Sequence, residues 1–395
     1  MKISAKPFVY ACFLFTIFSC KKPYNPPVTT SNPGYLVVEG VVNSGIDTTT
    51  INLSRTIPLS GDSSKSKPET GARVIVESSK NDQYNLTETV AGTYIAVNLN
   101  LPTDRTYRLH IFTSTNREYI SDFVENMITP PIDSVYSVPV KTGVQFFVST
   151  TGGSNNTRYY RWSYAESWTY LIDPTENSAW IYQNNQVLQR LYGPGNTCYI
   201  FGAPSNSIFI ASSYLANGAI SMAPLGYVDA STGKLAGVYS LLVKQYALTG
   251  AAYTFWYLLR SNSEQLGSIF DAQPSSAVSN IHAVGNANEP VIGYVSVSTV
   301  TTKRIFLQGR TLPHFAIYFP APVECPSKNI YLAPAATASY RFQQTFGTGD
   351  SLLISAIHDT TNYKIIIGYT YAPTNCLDCQ TTHGTDIPPP YWPPP

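Results

Sequence analysis

Thr106 to Thr113 reads TYRLHIFT, and its alternation decides the fold class. Tyr107, Leu109 and Ile111 fall on one side of an extended chain, and Arg108 and His110 fall on the other. Strict period-two alternation of this kind marks a strand with one buried and one solvated face. His110 therefore reads as a solvent-side strand residue. The neighbouring stretches repeat the theme. Tyr35 to Val42 (YLVVEGVV), Thr49 to Leu53 and Arg73 to Glu77 (RVIVE) are rich in β-branched residues, with Gly45, Gly61 and Gly71 as turn points. Gln83 to Glu88 and Gly92 to Val97 (GTYIAV) read as a hairpin-like pair. About seven short strands over 35–128 predict an immunoglobulin-like or transthyretin-like β-sandwich.

Thr129-Pro130-Pro131-Ile132-Asp133 predicts a domain boundary, because two prolines withhold two ladder donors and break any helix. Residues 129–395 then read as a larger β-rich domain. Ser134 to Val140, Val144 to Thr150, Val291 to Thr299, Lys303 to Gln308 and Tyr363 to Tyr371 are its clearest strands, and 173–196 reads as a long loop with short strands. One helix is expected over 249–266. Thr249 is its candidate N-cap, Ala252, Phe255, Trp256, Leu259 and Leu266 its apolar face, and Gly267 its stop. The chain is thus expected to be mainly β, with one α-helix.

The N-terminus, MKISAKPFVYACFLFTIFSC, has the order of a secretory signal peptide over 1–19: cationic Lys2 and Lys6, an apolar run, then small Ser19. The run is shorter than the ~20 residues of a membrane span. Ile17-Phe18-Ser19-Cys20 resembles a bacterial lipobox, which makes Cys20 the lipidated first residue of the mature chain. Residues 20–34, polar and proline-rich, read as a flexible tether that holds the folded body at a membrane surface.

Charged residues are only 12% of the chain, and the net charge is +1. No basic footprint argues for nucleic acid. Once Cys12 leaves with the signal and Cys20 carries lipid, Cys198, Cys325, Cys376 and Cys379 remain as disulfide candidates in an oxidising compartment, and four cysteines allow three pairings. CLDC at 376–379 lacks the further ligands of a zinc site, so no metal or cofactor is expected. His110, His282, His314, His358 and His383 form no metal-binding or nucleophile-activating motif. Asp173, Glu176 and Asp229 could pair as a glycosidase requires, but so could many carboxylates. No catalytic residue is therefore assigned. The readings kept beside a binding role are a cell-surface hydrolase and a structural or adhesion component of the envelope.

Two softer signals concern binding and modification. Tyr159 to Tyr170 (YYRWSYAESWTY) is the richest aromatic stretch. Tyr159, Tyr160, Trp162, Tyr164 and Trp168 are candidate binding aromatics for a glycan or peptide, against the plainer reading that they are core. Asp-Ser/Thr steps place candidate O-glycosylation at Thr48, Ser134, Ser351 and Thr360. The end, Ile387 to Pro395 (IPPPYWPPP), is a polyproline segment whose aromatic pair favours packing on the body.

Taken in order, several blocks resemble a Bacteroidetes lipoprotein family, domain of unknown function 4249. They are Tyr35 to Val42, INLSRTIPL at 51–59, PETGARVIVE at 68–77, PPIDSV at 130–135, YYRWSYAESW at 159–168, the long stretch 239–298, and CLDCQTTHGTDIPPPYW at 376–392. The resemblance implies an outer-membrane lipoprotein that serves a TonB-dependent transporter in uptake, and it brings no catalytic residues. Lys21 and Lys22 follow Cys20 where surface-exposed relatives carry acids, which leaves a cell-surface or a periplasmic orientation open.

Overall fold

The computed structural model describes residues 34–57, 67–152, 157–171, 178–184, 186–191, 197–203, 205, 207–264, 278–316, 327–373, 384–385 and 387–393. The signal peptide, Cys20 and nearly all of the tether lie outside the described residues, as do Cys325, Cys376 and Cys379.

The chain is mainly β, as its alternation predicts. Thr106–Phe112 buries Tyr107, Leu109 and Ile111 completely, so the period-two reading of that strand is met residue by residue. Around it the pairings run through Arg73–Ser78, Gln83–Val90, Thr93–Ala96, Thr49–Arg55, Leu36–Asn43, Val297–Ser298 and Val124–Met127, and return to Thr106–Phe112. The two layers expected of a sandwich are thus hydrogen-bonded into a closed ring, which removes free strand edges.

The closing strand comes from far along the chain. Val297–Ser298 inserts parallel to both of its neighbours, and Ile292–Gly293 and Ile281–Ala283 join the same sheet. Ile281, Val291, Val295 and Val297 complete the barrel core. The expected boundary at 128/129 therefore does not part the chain into two consecutive bodies, since 281–298 returns to the first. Alternation alone could not show this, because these strands are too short to carry a pattern.

The second body is a two-layer sandwich. Ser134–Val140, Gly143–Thr150 and Ile220–Asp229 form one layer. Val300–Gln308, Val238–Leu248, Tyr159–Leu171, Thr197–Phe201 and Gly384–Thr385 form the other, with Phe209–Ser212 paired to one end of Tyr159–Leu171. Phe146, Val148, Tyr160, Trp162, Tyr239, Leu241 and Val243 fill the space between them. A third, smaller sheet is built from Gln186–Leu191, Ser178–Gln183, Ser351–His358, Ile366–Pro373 and Lys328–Tyr331.

Helix α1 spans Gly250–Glu264, and Thr249 Oγ1 accepts a hydrogen bond from the Ala252 amide at 3.2 Å, as an N-cap does. Ala252 and Phe255 are buried, and Leu266 and Gly267 lie outside the described residues. A second helix, α2, spans Ala335–Phe346, where the sequence reading has none. Its signal is short: Ala338, Phe342 and Phe346 at helical spacing between Pro334 and Gly347. Phe342 and Phe346 pack against Tyr369 and Tyr371 of the third sheet, and tertiary burial rather than length sustains the helix.

The barrel and the sandwich are pinned together where the chain crosses between them. Thr129 Oγ1 donates to the Thr299 carbonyl and accepts from the Ala247 amide at 3.0 Å. Gln245 is fully buried. Its Oε1 accepts from Trp162 Nε1 at 2.8 Å, and its Nε2 donates to the Pro130 carbonyl at 2.7 Å and to Thr150 Oγ1 at 3.1 Å. Gln245→Leu would strand the buried indole N–H, which is expensive to leave unpaired, and would remove one of the two hydrogen bonds that the Pro130 carbonyl accepts, the other coming from Thr301 Oγ1 at 2.9 Å. We expect a loss of about 2–4 kcal/mol of unfolding free energy. Denaturant unfolding followed by tryptophan fluorescence measures it, and an unchanged midpoint would refute the assignment.

On the barrel's outer side His110 is half-enclosed rather than simply solvated. Its ring nitrogens lie 2.9 Å from Glu77 Oε1 and 2.7 Å from Glu118 Oε1, and Arg108 Nε donates to Glu77 Oε2 at 2.8 Å. Burial alone would raise the Glu77 carboxyl, but the hydrogen bonds from His110 and Arg108 outweigh it and hold the group below its ordinary value. A carboxylate depressed on folding stabilises the native state above its unfolded pKa, and that contribution is lost as pH falls through the folded one. Glu77→Gln should therefore lower stability at pH 7 and flatten the loss on acidification below the ordinary glutamate range. Equal pH slopes for both proteins in calorimetry would contradict this.

Candidate functional site

The strand Tyr159–Leu171 has two faces, and they differ in kind. The even-numbered side chains point into the sandwich. Tyr160 and Trp162 are buried, and Tyr164 and Trp168 pack against the same core. Tyr160 Oη donates to the carbonyls of Thr157 and Gly218. Glu166 also lies on this side, where it pairs with Lys234 and accepts from Tyr239 Oη at 2.8 Å. Burial, and then the Glu166 charge, push the Tyr239 hydroxyl far above its ordinary value. Tyr159 lies on the opposite side, part-buried, with its ring 4.9 Å from Tyr253 of α1. None of the five candidate binding aromatics is classed as exposed, and they do not form a flat open surface.

The outer face has another character. Register places Arg161 opposite Tyr246, Ser163 opposite Lys244, and Ala165 opposite Leu242. It places Lys244 opposite Thr302, and Leu242 opposite Arg304. Arg161, Lys244 and Arg304 therefore lie on one diagonal across three adjacent strands, each about 7–8 Å from the next at the backbone. On this face the strand positions of the three contain no carboxylate, and no ion pair to any of these cations occurs among the described residues.

Two elements rise from the ends of this diagonal. At one end α1 lays Trp256 over Arg161, with the guanidinium carbon 3.9 Å from the ring centroid, and Tyr246 flanks it at 5.5 Å. At the other end the polyproline segment crosses the sheet. Tyr391 covers Arg304 at 3.6 Å, and Trp392 packs edge-on against Tyr199 and Phe306. Arg304 also donates to Ser240 Oγ at 2.8 Å. A cavity of about 330 Å³ lies beside this segment, between Thr169, Tyr199, Gly237, Gln308, Arg310 and Trp392. Between the two walls the floor carries the small side chains Ser163 and Ala165, with exposed Thr302 beside them.

Electrostatically the two arginines are displaced from water. Burial lowers the pKa of Arg161, with only the neighbouring Tyr246 opposing it. Burial lowers that of Arg304 as well, against Tyr391. Arg161 Nε and Trp256 Nε1 are both buried without a hydrogen-bond partner. Sequence reasoning missed this site. It followed the aromatic face of the strand, whereas the cations are brought together only by the register of three strands.

The other expected residues are placed as follows. Cys198 is buried in Thr197–Phe201 and disulfide-bonded. Thr48 and Thr360 are exposed, and Ser134 and Ser351 are part-buried. Asp229 caps a short 3-10 turn by accepting from the Ser231 amide at 2.8 Å, and Asp173 and Glu176 lie outside the described residues. His282 lies 3.1 Å from Asp122, His358 stacks on Tyr363, and neither is on the outer face.

No curated protein matches the chain. Among solved structures, Salmonella alpha-2-macroglobulin reacted with methylamine is 12% identical, with a TM-score of 0.17, 75% of this chain covered and 16% of that one. A mutant of that macroglobulin is 11% identical, with a TM-score of 0.16, 82% of this chain covered and 17% of that one. The chain thus spans less than a fifth of either. The model of the family described as Domain of unknown function (DUF4249) matches residues 21–304. That span holds the barrel, the helix α1 and all three cations of the outer face, and the chain belongs to this family.

Proposed function

We propose that this chain is a lipid-anchored binding protein of a Bacteroidetes outer membrane, an accessory to a TonB-dependent transporter in nutrient uptake. Its working surface is the outer face of the central sheet. The observation that carries the binding role is the cation diagonal Arg161–Lys244–Arg304, desolvated at both ends and left without carboxylates. Structural cations on a sheet face are ordinarily matched by cross-strand acids. On the barrel Arg108 is matched by Glu77 on the neighbouring strand, and Arg55 and Arg105 are matched by Glu69 and Asp82, whereas Arg73 lies over the Phe112 ring. Three neighbouring cations without an acid on the sandwich support a face held ready for a ligand.

The anchor follows from the N-terminal sequence. Cys20 carries the lipid, and the tether to about residue 34 lets the body stand off the membrane. Replacing Cys20 by Ala should move the protein from the membrane pellet to the soluble fraction, and the native protein recovered from detergent-solubilised outer membranes should bring a TonB-dependent transporter with it. A variant that still sediments after a salt wash, or a native preparation with no transporter, would sink the proposal.

A further inference from the structure

Resting on that binding role, we infer that the trough between α1 and the polyproline segment is a site for an acidic oligosaccharide, whose carboxylates pair with Arg161 and Lys244 while its ring lies between the Trp256 and Tyr391 walls. The first support is the state of Arg161. A guanidinium carries five donors, and this one makes no hydrogen bond among the described residues. Trp256 Nε1, in the ring stacked on it, is a second orphan donor. A buried cation without a counter-charge is destabilising, so the local chain leaves a requirement for an acceptor that it does not itself meet. Arg161 keeps partial solvent contact, which leaves an approach open.

The second support is the row beyond it. Lys244 is part-exposed on the same face, without an ion pair among the described residues, and its diagonal neighbours on both sides are also cations. Mutual repulsion of like charges at this spacing is relieved by an anion that bridges them. A carboxylate suits the fork of Arg161, which can hold it by two parallel hydrogen bonds.

The third support concerns the ligand's body. Val238–Leu248 is hydrogen-bonded on both sides, to Tyr159–Leu171 and to the edge strand Val300–Gln308, so a ligand lying over Lys244 does not bind there by strand addition. The chain's net charge of +1 gives no extended basic surface for nucleic acid. The floor carries Ser163, Ala165 and Thr302 around Leu242, so an apolar side chain can meet the face of a ring while Ser163 and Thr302 supply hydroxyls to its oxygens. Tyr391 is 39% exposed, so part of its ring is free to meet the C–H face of a sugar.

The test uses the full-length lipoprotein in detergent, titrated calorimetrically with tetragalacturonate, with maltotetraose as the neutral control and a tetraglutamate peptide as the acidic non-sugar control. We expect binding to tetragalacturonate alone, weakening steeply with added salt. Lys244→Gln should weaken it about fivefold, and Arg161→Gln about tenfold or more. Lys244 is part-exposed and lies outside the core, so its variant keeps the test decisive should Arg161→Gln misfold. No binding of tetragalacturonate, equal binding of maltotetraose or tetraglutamate, or an unchanged affinity in Lys244→Gln would overturn the inference. Recovery of a transporter without saccharide binding would overturn the ligand class alone, whereas saccharide binding without a transporter would leave this site standing and remove the uptake role.

Discussion

A single buried amide holds the architecture in register. Gln245 satisfies its oxygen on Trp162 and its nitrogen on Pro130 and Thr150, and so ties the central strand, its neighbour, the facing layer and the inter-body linker to one point. A one-residue slip of Val238–Leu248 would turn Gln245 outward, place Lys244 and Tyr246 in the core, and scatter the cation diagonal. The polar group therefore selects the register that apolar burial alone leaves less sharply defined. The same register creates the outer face.

The closure of the barrel depends on that point as well. Thr129 donates two hydrogen bonds to Thr299, from its amide to Oγ1 and from its Oγ1 to the carbonyl, where the linker leaves the barrel and where the chain passes from the closing strand Val297–Ser298 into the sandwich edge Val300–Gln308. Barrel and sandwich are consequently coupled by hydrogen bonds between threonine side chains and backbone groups. Association of the closing strand spans a long sequence separation, so closing the barrel carries a larger loop-closure entropy cost than pairing its local hairpins.

The two faces of Tyr159–Leu171 divide one strand between core packing and an outer face without carboxylates. The inward side spends its aromatics on core area and settles their polar tips on Gln245 and on the Thr157 and Gly218 carbonyls. The outward side places a desolvated arginine beneath a tryptophan, a contact that stabilises the cation in part but gives it no acceptor. Glu166, the acid of this strand, is held on the inward side by Lys234 and Tyr239 and so does not neutralise the outer cations.

Local pattern made much of the fold legible. The alternation of TYRLHIFT, the β-branched runs, the Thr249 cap and the proline junction are statements about neighbours a few residues apart, and period and capping chemistry act at that range. Helix α2 was missed because a twelve-residue amphipathic segment gains its stability from Phe342 and Phe346 meeting Tyr369 and Tyr371, a contact between distant segments. The return of 281–298 to the barrel went unseen for the same reason, since a two-residue strand has no period. The aromatics of 159–168 were visible in the sequence, but whether they faced core or solvent depended on which side of the sheet the second layer covers. The sequence by itself determined strand, helix and turn chemistry and the low charge. Only the tertiary structure decided that Arg161, Lys244 and Arg304 stand together, because their proximity is set by the pairing of strands about 60 to 85 residues apart, and pairing register is a property of the whole sheet.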